Sequence, residues 1–441
     1  MTAVKDSECN AVALEEKDLS TKRSGVRTQP QFQRRKDRIC FFGHFGLGNF
    51  GNESTLQAML FHVRRLLPDA ELCCICTGPV GTAATHNIAT LPISRPILEA
   101  WKPRNRVARM LRTLVIGVPS EIYRWFEGLV TLNGTDVLIV PGTGLVTDAY
   151  SLRGWGPYSL FKWSLLAKMR GCKLLVVSVG AGPIYGRLGR FLVKSALGMA
   201  DFRSYRDESS LHYLKSIGFE PTTDRVYPDL AFSLPQALIP HSNNQNRRRR
   251  VVGLGVMLDA GMYSVEKPDI KTCRNYLENL AIFVGWLLAH EYDVRLLIGD
   301  LCDRPVIEEF KCMLKERLPE YEANRIFDDE VLSTDQLLSQ LADTDLVVAT
   351  RFHNVLLALL NNKPVVAISF HHKVASLMSS RGLSEYCLDI NDLKADKLIE
   401  QFRQLEKNAE GLKPMIRRKA EGFREALDDQ YNLIVQSLAS R

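Results

Sequence analysis

The sequence predicts an α/β protein with two Rossmann-like domains that face each other across a cleft. The length of 441 residues suits two domains with large buried cores. Short, wholly apolar runs alternate with runs of helical periodicity, which is typical of parallel sheets covered by helices on both faces. A polar, arginine-rich segment interrupts this alternation near the middle of the chain, and the alternation then restarts. The pattern therefore indicates two sheets in succession.

Domain boundaries follow from where this pattern begins, breaks and ends. The first residues carry both signs of charge and lack the apolar core of a secretory signal, so we interpret them as a disordered tail. The predicted units are a tail at 1–36, a first domain at 37–235, a linker at 236–250, a second domain at 251–405 and a C-terminal helical segment at 406–441. The charged end of the chain is expected to pack back across the domain junction.

Strands of the first domain are predicted from apolar, β-branched runs. RICFFG at 38–43 comes first, and the segment 53–68 after it has leucine, methionine and valine at helical spacing. Further strands are expected at 71–76, 136–140, 173–179, 202–205 and 224–227. Helical stretches separate most of these runs, which favours parallel pairing.

The linker and the second domain follow the same logic. The segment 233–250 is rich in proline, amide and arginine residues, a composition typical of linkers. Beyond it, strands are expected at 251–257, 293–299, 345–349, 364–369 and about 386–388, and a helix at 271–290. The second domain thus repeats the strand and helix alternation of the first.

Composition and charge narrow the class of protein. Hydrophobic residues make up 46% of the chain, which excludes a disordered or collagen-like protein. The formal charge of +7 is too small for a nucleic-acid coat, so we expect no nucleic-acid partner, but it suits an anionic substrate or an anionic membrane surface. No apolar run reaches the roughly 18 residues that a membrane helix needs, so we expect a soluble protein.

The ten cysteines bear on compartment and metal binding. Most lie in apolar strand-like or helical runs, which indicates reduced, buried thiols and a cytoplasmic protein. The cluster CCIC at 73–76 has the close spacing of a zinc motif, but no second pair of ligands follows at a suitable spacing. We therefore expect neither a metal nor another cofactor.

Glycine-rich loops follow three predicted strands of the first domain, where ligands of such sheets bind. They are GHFGLGNFGNES at 43–54, PGTGLVTD at 141–148 and GAGPI at 180–184. Glycine lets the backbone approach a ligand, and a helix N-terminus after the first loop offers unpaired N–H groups to an anion. The loop candidates for binding are Asn49, Glu53, Gly142, Gly144, Asp148, Gly180 and Gly182.

Basic side chains stand at strand ends in both domains. Arg206 ends a strand of the first domain, whereas Arg351 and His353 follow one strand of the second domain and Lys373 follows the next. Their charged or titratable neighbours are Asp207, Glu208, His371 and His372. Arginine binds carboxylate or phosphate with two hydrogen bonds, and histidine exchanges protons near neutral pH. If the domains face each other, these groups form a site for a small, highly charged anion.

Seven short motifs, taken in order, resemble the polysaccharide pyruvyl transferase family. They are NFGNE (49–53), PGTGLVTD (141–148), GAGP (180–183), SYRDESS (204–210), YPDLAFSLP (227–235), TRFHN (350–354) and KPVVAISFHHKVASL (363–377). The resemblance spans about residues 38–390. It implies a fold like that of the B-type glycosyltransferases, and transfer of an enolpyruvyl unit from phosphoenolpyruvate onto two hydroxyls of a sugar as a pyruvate ketal.

Carried over to this sequence, the resemblance implies that Arg206, Arg351, His353 and Lys373 bind phosphoenolpyruvate. Arg206, His353 and Lys373 are the catalytic candidates among them, and His353 is the expected proton donor. The acceptor, a sugar of a polysaccharide or of a lipid-linked oligosaccharide, is expected on the first domain, where Asp207 and Glu208 join the loop candidates. The base for the acceptor hydroxyl is left open among Asp148, Asp207 and Glu53.

Two other functions fit the predicted fold. A nucleotide-sugar-dependent glycosyltransferase would need an acidic residue for the ribose hydroxyls, and none stands among the strand-end residues singled out above in the second domain. A non-catalytic protein that binds a sugar or an anion would have no need of arginine, histidine and lysine together. Both alternatives remain open to experiment.

A basic stretch at 101–117, WKPRNRVARMLRTLVIG, bears on location. Its arginines and apolar residues favour a solvated helix with one core face, and contact with an anionic membrane or an acidic acceptor is the alternative. The absence of a signal pattern and a cytosolic donor favour a cytoplasmic protein. A lipid-linked acceptor would add peripheral contact at the inner face of the membrane.

Overall fold

The structure, a computed structural model, describes residues 37–94, 105–142, 144–147, 156–221, 224–240, 247–257, 270–318 and 323–439. The predicted tail at 1–36 and the candidate Asp148 lie outside these ranges. Parts of the predicted linker and of the basic stretch at 101–117 also lie outside them.

Strands fall into two groups along the chain. The first group is β1 Arg38–Gly43, β2 Glu71–Cys76, β3 Ala89–Pro92, β4 Val137–Pro141, β5 Lys173–Val179, β6 Phe202–Tyr205 and β7 Arg225–Val226. The second group is β8 Val251–Gly255, β9 Asp293–Leu297, β10 Ile326–Phe327, β11 Leu346–Ala349, β12 Val365–Ser369 and β13 Cys387–Asp389. All the predicted strands are present to within two residues at each end, and the short edge strands β3 and β10 were not predicted.

The two groups form separate parallel sheets. The described strands are ordered β3-β2-β1-β4-β5-β6-β7 in the first sheet and β10-β9-β8-β11-β12-β13 in the second, and their paired neighbours run parallel. In both sheets the order reverses beside the first strand. The crevice outside the carboxyl ends at such a reversal is where ligands bind in open α/β sheets. The predicted two-sheet α/β architecture is confirmed.

Helices cover the sheets. They are α1 Phe50–Leu66, α2 Pro79–His86, α3 Arg106–Arg112, α4 Val118–Thr131, α5 Gly156–Met169, α6 Arg187–Met199, α7 Glu208–Ser216, α8 Ile270–Ala289, α9 Arg304–Arg317, α10 Thr334–Ala342, α11 Phe352–Leu360, α12 His372–Ser380 and α13 Ala395–Ala439. A π-helical segment, Thr113–Gly117, connects α3 to α4. Helix α11, with the sequence FHNVLLALL, is almost wholly buried, because it packs between the second sheet, α12 and α13.

Backbone hydrogen bonds join the loops at the carboxyl ends of the two sheets. The loop after β1 meets the loop after β9, where Phe50 N donates to Gly299 O over 3.2 Å and Leu301 N donates to Gly48 O over 3.0 Å. Between them Asn49 Nδ2 donates to a carboxylate oxygen of Asp300 over 2.6 Å. These contacts hold the carboxyl ends of the two sheets face to face.

The long helix α13 packs against both sheets, as the sequence predicted for the end of the chain. Near its end Gln430 forms hydrogen bonds with Ser178 and Ser204, two buried residues of the first sheet. Near its start Glu406 accepts a hydrogen bond from Tyr292, which precedes β9 of the second sheet. The helix therefore spans the junction between the two sheets.

One pair of cysteines corrects the prediction of reduced thiols. Cys40 of β1 and Cys73 of β2 form a disulfide. The two residues are direct partners in the register of neighbouring parallel strands, with Cα atoms 4.7 Å apart. Sequence periodicity gave no sign of this pairing, because the register between two strands is set by the whole sheet. Cys74 and Cys76, which follow on β2, are free and buried.

The helices of the described residues include none that combines the length and the apolar character required to span a bilayer.

Candidate functional site

A cavity of about 590 Å³ lies between the carboxyl ends of the two sheets. Both walls contribute residues from the loops that follow strands, as expected for open α/β sheets. The sequence candidates that line it are Asn49, Gly142, Gly144, Gly180, Arg206, Arg351, His353 and Lys373. The structure therefore brings Arg206 from the first sheet together with the three basic or imidazole side chains of the second.

Three helices begin at this cavity. Asn49 caps α1, with its side-chain oxygen accepting from Asn52 N over 3.0 Å. Arg351 and His371 occupy the corresponding cap positions of α11 and α12. Helix N-termini present unpaired N–H groups and the positive end of the helix dipole. The cavity is thus suited to a negatively charged ligand.

Arg206 is held at the cavity wall by contacts on several sides. Its Nη1 lies 3.1 Å from a carboxylate oxygen of Asp229, and its guanidinium lies 4.6 Å above the ring of Phe352 in the second sheet's α11. Gly180 leaves the room that the guanidinium occupies, because a Cβ there would overlap Nη2 of Arg206. Arg206 therefore bridges the two walls of the cavity.

Asp229 is a site residue that the sequence analysis did not single out. Its carboxylate is buried and lies between Arg206 and His353, 3.7 Å from Nε2 of the imidazole. Burial alone would raise its pKa, but His353, Arg206 and the N–H of Ala231 outweigh burial and lower the pKa to about 2. Asp229 follows β7 within YPDLAFSLP. A search for charged residues just after that strand, as was made for the others, would therefore have found it.

His353 lies in the first turn of α11 and is enclosed by both sheets. Its Nε2 is shielded from solvent and faces Asp229, while 18% of the side chain stays exposed. Gly51 of α1 packs against the opposite nitrogen, since a Cβ at Gly51 would overlap Nδ1. The ring is therefore oriented with Nε2 towards a carboxylate and Nδ1 away from it.

Arg351 has acidic partners that the sequence analysis missed. Its Nε and Nη2 donate to the two carboxylate oxygens of Asp303, which is fully buried. Its Nη1 lies 3.9 Å from Asp300, a residue that also lines the cavity. Both aspartates follow β9, so acidic side chains do stand at a strand end of the second sheet. Much of the hydrogen-bonding capacity of Arg351 is therefore used within the protein.

Lys373 lies in the first turn of α12, where its side chain is buried. Nδ1 of His371 accepts a hydrogen bond from Lys373 N over 3.3 Å. Burial first, and then the positive charges of Lys373, His372 and Arg206, lower the pKa of His371 to about 3. His371 is consequently neutral at pH 7.

Stability should depend on pH through His371. The pKa of a histidine in the unfolded chain is about 6.5, so the folded state binds fewer protons at His371. The contribution of His371 to the free energy of unfolding is therefore full above pH 6.5 and is lost as the pH falls towards 3. The wild-type chain should lose unfolding free energy between pH 7 and pH 5 through this titration. The variant His371→Asn keeps a capping side chain and should lose about 1 kcal/mol less over the same interval, a figure already reduced for solvent screening. Urea unfolding at both pH values measures the difference. His290→Asn, at an exposed histidine just after α8, is the control. An unchanged pH dependence in His371→Asn would contradict the assignment.

Glu53 does not reach the cavity wall. Its carboxylate accepts a hydrogen bond from Gly46 N over 2.6 Å and pairs with His86 Nε2 at 3.0 Å. Gly46 has a φ of 80°, so the carboxylate fixes a turn that glycine adopts without strain. Glu53 therefore shapes the loop after β1, and the structure gives no support to its candidacy as the base.

Asp207, Glu208 and Gly182 also lie outside the cavity lining. Asp207 caps α7, accepting hydrogen bonds from the hydroxyl of Ser209 and the N–H of Ser210. Burial alone would raise the pKa of Asp207, but the charge of Arg206 and these hydrogen bonds lower it. Glu208 is exposed in the first turn of α7. Gly182 has a φ of 83° and forms the turn of the loop after β5.

Comparison with known proteins identifies related sequences and folds. A family model described as polysaccharide pyruvyl transferase matches residues 49–372. No curated protein sequence matches the chain. The family match covers the loops that line the cavity from Asn49 onwards, with Lys373 one residue beyond its end.

Solved structures share the fold at low sequence identity. A Listeria monocytogenes protein described as a UDP-N-acetylglucosamine 2-epimerase has a TM-score of 0.60 and 13% identity, with 92% of this chain and 96% of that one covered. The Neisseria meningitidis UDP-GlcNAc 2-epimerase bound to UDP-GlcNAc and the sucrose-phosphate synthase of Thermosynechococcus elongatus each have a TM-score of 0.56 and 12% identity, with 92% and 100% covered. The predicted fold, like that of the B-type glycosyltransferases, is confirmed.

Proposed function

The chain belongs to the polysaccharide pyruvyl transferase family, and we propose that it transfers an enolpyruvyl unit from phosphoenolpyruvate onto two hydroxyls of a sugar. The product is a pyruvate ketal on a polysaccharide or a lipid-linked oligosaccharide. One observation carries the proposal: His353 lies between the buried carboxylate of Asp229 and a cavity that Arg206 and Lys373 also line. A proton donor thus stands beside cations, as this reaction requires.

Donor binding is the first step of the proposal. Phosphoenolpyruvate carries a carboxylate and a phosphate of about −1.5 to −2 charge near neutral pH. Arg206 and Lys373 supply positive charge on opposite walls of the cavity, and the N-terminus of α11, which has no side-chain cap, adds N–H donors. Arg351 contributes less than its charge suggests, because Asp303 occupies its Nε and Nη2. We assign the phosphate to the α11 and α12 side, where Lys373 lies.

Proton transfer follows from the orientation of His353. Asp229 stabilises the protonated ring through Nε2, so Nδ1 gives its proton to the methylene carbon of phosphoenolpyruvate. The neighbouring carbon then forms a bond to the first sugar hydroxyl, whose proton returns to His353. Cleavage of the bond to phosphate releases inorganic phosphate, and the second hydroxyl adds to the same carbon. The proton of the second hydroxyl leaves with the phosphate.

The acceptor sugar is assigned to the loops of the first sheet. Asn49 and Asn52 line the cavity with amide groups, and Gly142 and Gly144 line it without a side chain. Amide and backbone groups suit sugar hydroxyls, which both donate and accept hydrogen bonds. These contacts support a sugar on this wall, opposite Lys373.

Ligand-dependent thermal unfolding tests the donor. We expect phosphoenolpyruvate to raise the Tm of the full chain, because a ligand at about 100 times its Kd stabilises the native state by about 2.7 kcal/mol. Lys373→Met should remove most of this shift, whereas Lys315→Met, on the exposed face of α9, should keep it. A shift with UDP-sugars and none with phosphoenolpyruvate would instead support a nucleotide-sugar-dependent glycosyltransferase.

A further inference from the structure

The exposed surface of the segment 105–131 is unusually apolar. The backbone stays helical where α3 meets the π-helical segment and where that segment meets α4. We call these three elements together the 106–131 helix. Ten of its large apolar side chains are 47–66% exposed: Val107, Met110, Leu111, Leu114, Val115, Val118, Ile122, Tyr123, Phe126 and Val130. Their spacing of three and four residues places them on one face. Water-soluble monomers rarely leave such a continuous apolar face uncovered.

The opposite face of this helix is tied to the protein by polar contacts, which fixes the apolar face outwards. Glu121 accepts hydrogen bonds of 2.8 Å from both Lys162 Nζ and the hydroxyl of Tyr158 on α5. Trp125 Nε1 donates to the same hydroxyl over 2.8 Å. Gly128 is buried where a Cβ would overlap Leu166. The side of α4 that carries Glu121, Trp125 and Gly128 therefore faces the domain, and a second, apolar side faces solvent.

Charge on the same side of the first sheet is mostly positive. The segment 105–131 contains four arginines and two glutamates, and α6, which packs beside α5, has two arginines and a lysine with no acidic residue. The N-terminal turn of α6 also exposes Leu188 and Phe191, by 69% and 59%. Apolar side chains interleaved with basic ones are the pattern of surfaces that lie in the interface of an anionic membrane.

We propose that the 106–131 helix and the start of α6 dock the protein on an anionic phospholipid bilayer. A second copy of the chain fits less well, because a face with an excess of positive charge would meet the same charge across the interface. Helices that connect parallel strands run antiparallel to those strands, and the 106–131 helix precedes β4 whereas α6 follows β5. The start of each therefore lies towards the carboxyl ends of the first sheet, where the cavity opens. A bilayer there brings lipid-borne molecules near the cavity mouth.

Vesicle binding by the full chain tests the proposal without using phosphoenolpyruvate, so its result is separate from that of the proposed reaction. We expect sedimentation with phosphatidylglycerol-containing vesicles to exceed that with phosphatidylcholine alone by about tenfold or more, and to fall at high salt. The double variant Leu114→Glu/Phe126→Glu should bind the anionic vesicles at least about tenfold more weakly. Val80→Glu/Leu332→Glu, with similarly exposed side chains elsewhere, is the control.

Several results would overturn the proposal. One is that the wild-type chain does not bind anionic vesicles. Another is that the double variant binds them as well as the wild-type chain does, while circular dichroism shows that both proteins are folded. A third is dimerisation in sedimentation velocity that the double variant abolishes, without vesicle binding by the wild-type chain. That outcome would assign the apolar face to an interface between two copies.

Discussion

Replacing His353 with asparagine is expected to lower kcat for phosphate release by about 10²- to 10⁴-fold, the usual contribution of a positioned general acid. The imidazole lines the cavity and is oriented by the buried carboxylate of Asp229. Arg206 and Lys373 remain in this variant, so KM for phosphoenolpyruvate should change little. Steady-state release of inorganic phosphate with a sugar acceptor present measures both constants.

The control for this variant is His212→Asn, at an exposed histidine on α7. It should keep wild-type kcat and KM. Turnover by His353→Asn close to that of the wild type, at saturating phosphoenolpyruvate, would show that another group supplies the proton.

Asp229→Asn should also lower kcat strongly, by about 10²-fold or more, because the protonated ring of His353 loses its buried counter-charge. Asp229 acts through His353, so it is a positioning residue and its test needs more than a loss of rate. With a folded-state pKa of about 2, Asp229 is ionised throughout the neutral range. Its removal should change the pH profile of turnover, because the charged carboxylate that faces His353 is then absent.

A matched control separates this role from general destabilisation. Asp224 is a similarly buried aspartate that pairs with Arg203 at 2.9 Å, away from the cavity lining. Asp224→Asn should lower the Tm and leave the pH profile of turnover unchanged. If Asp229→Asn kept the wild-type pH profile and lost activity only in proportion to unfolded protein, Asp229 would have a structural role alone.

The sequence predicted the two sheets well because their strands are wholly apolar and bounded by helices with clear periodicity. β5, with the sequence KLLVVSV, is typical: it pairs on both sides and is buried along nearly all its length. The strands it missed are edge strands, ATLP at β3 and IF at β10, whose composition does not differ from that of a loop. Pairing with β2 and β9 makes them strands, and a local pattern does not contain that information.

The sequence predicted those site residues whose position just after a strand is enough to identify them, as for Arg206, His353 and Lys373. Ion-pair partners were missed because they come from other loops: Asp229 for Arg206, and Asp303 for Arg351. Such partners are set by how loops from different strands meet in space. This is why the sequence overestimated the positive charge available to a ligand.

Acidic residues near helix starts were assigned ambiguously for a related reason. A carboxylate in this position caps the helix, fixes a loop or binds a ligand, and the sequence pattern is the same in each case. The structure assigns Asp207 to a cap and Glu53 to the turn at Gly46. Only the surrounding hydrogen bonds distinguish these roles.

The central claim, transfer from phosphoenolpyruvate with protonation by the enzyme, is tested most directly by incubating the chain with phosphoenolpyruvate in D₂O. The acceptors are a panel of nitrophenyl glycosides and a glycan extract from the source cells, with the products analysed by mass spectrometry. The account predicts a sugar product with the mass of a pyruvate ketal whose methyl group carries one deuterium, and one phosphate released per product. Consumption of added UDP-sugars with no ketal on any acceptor would contradict it.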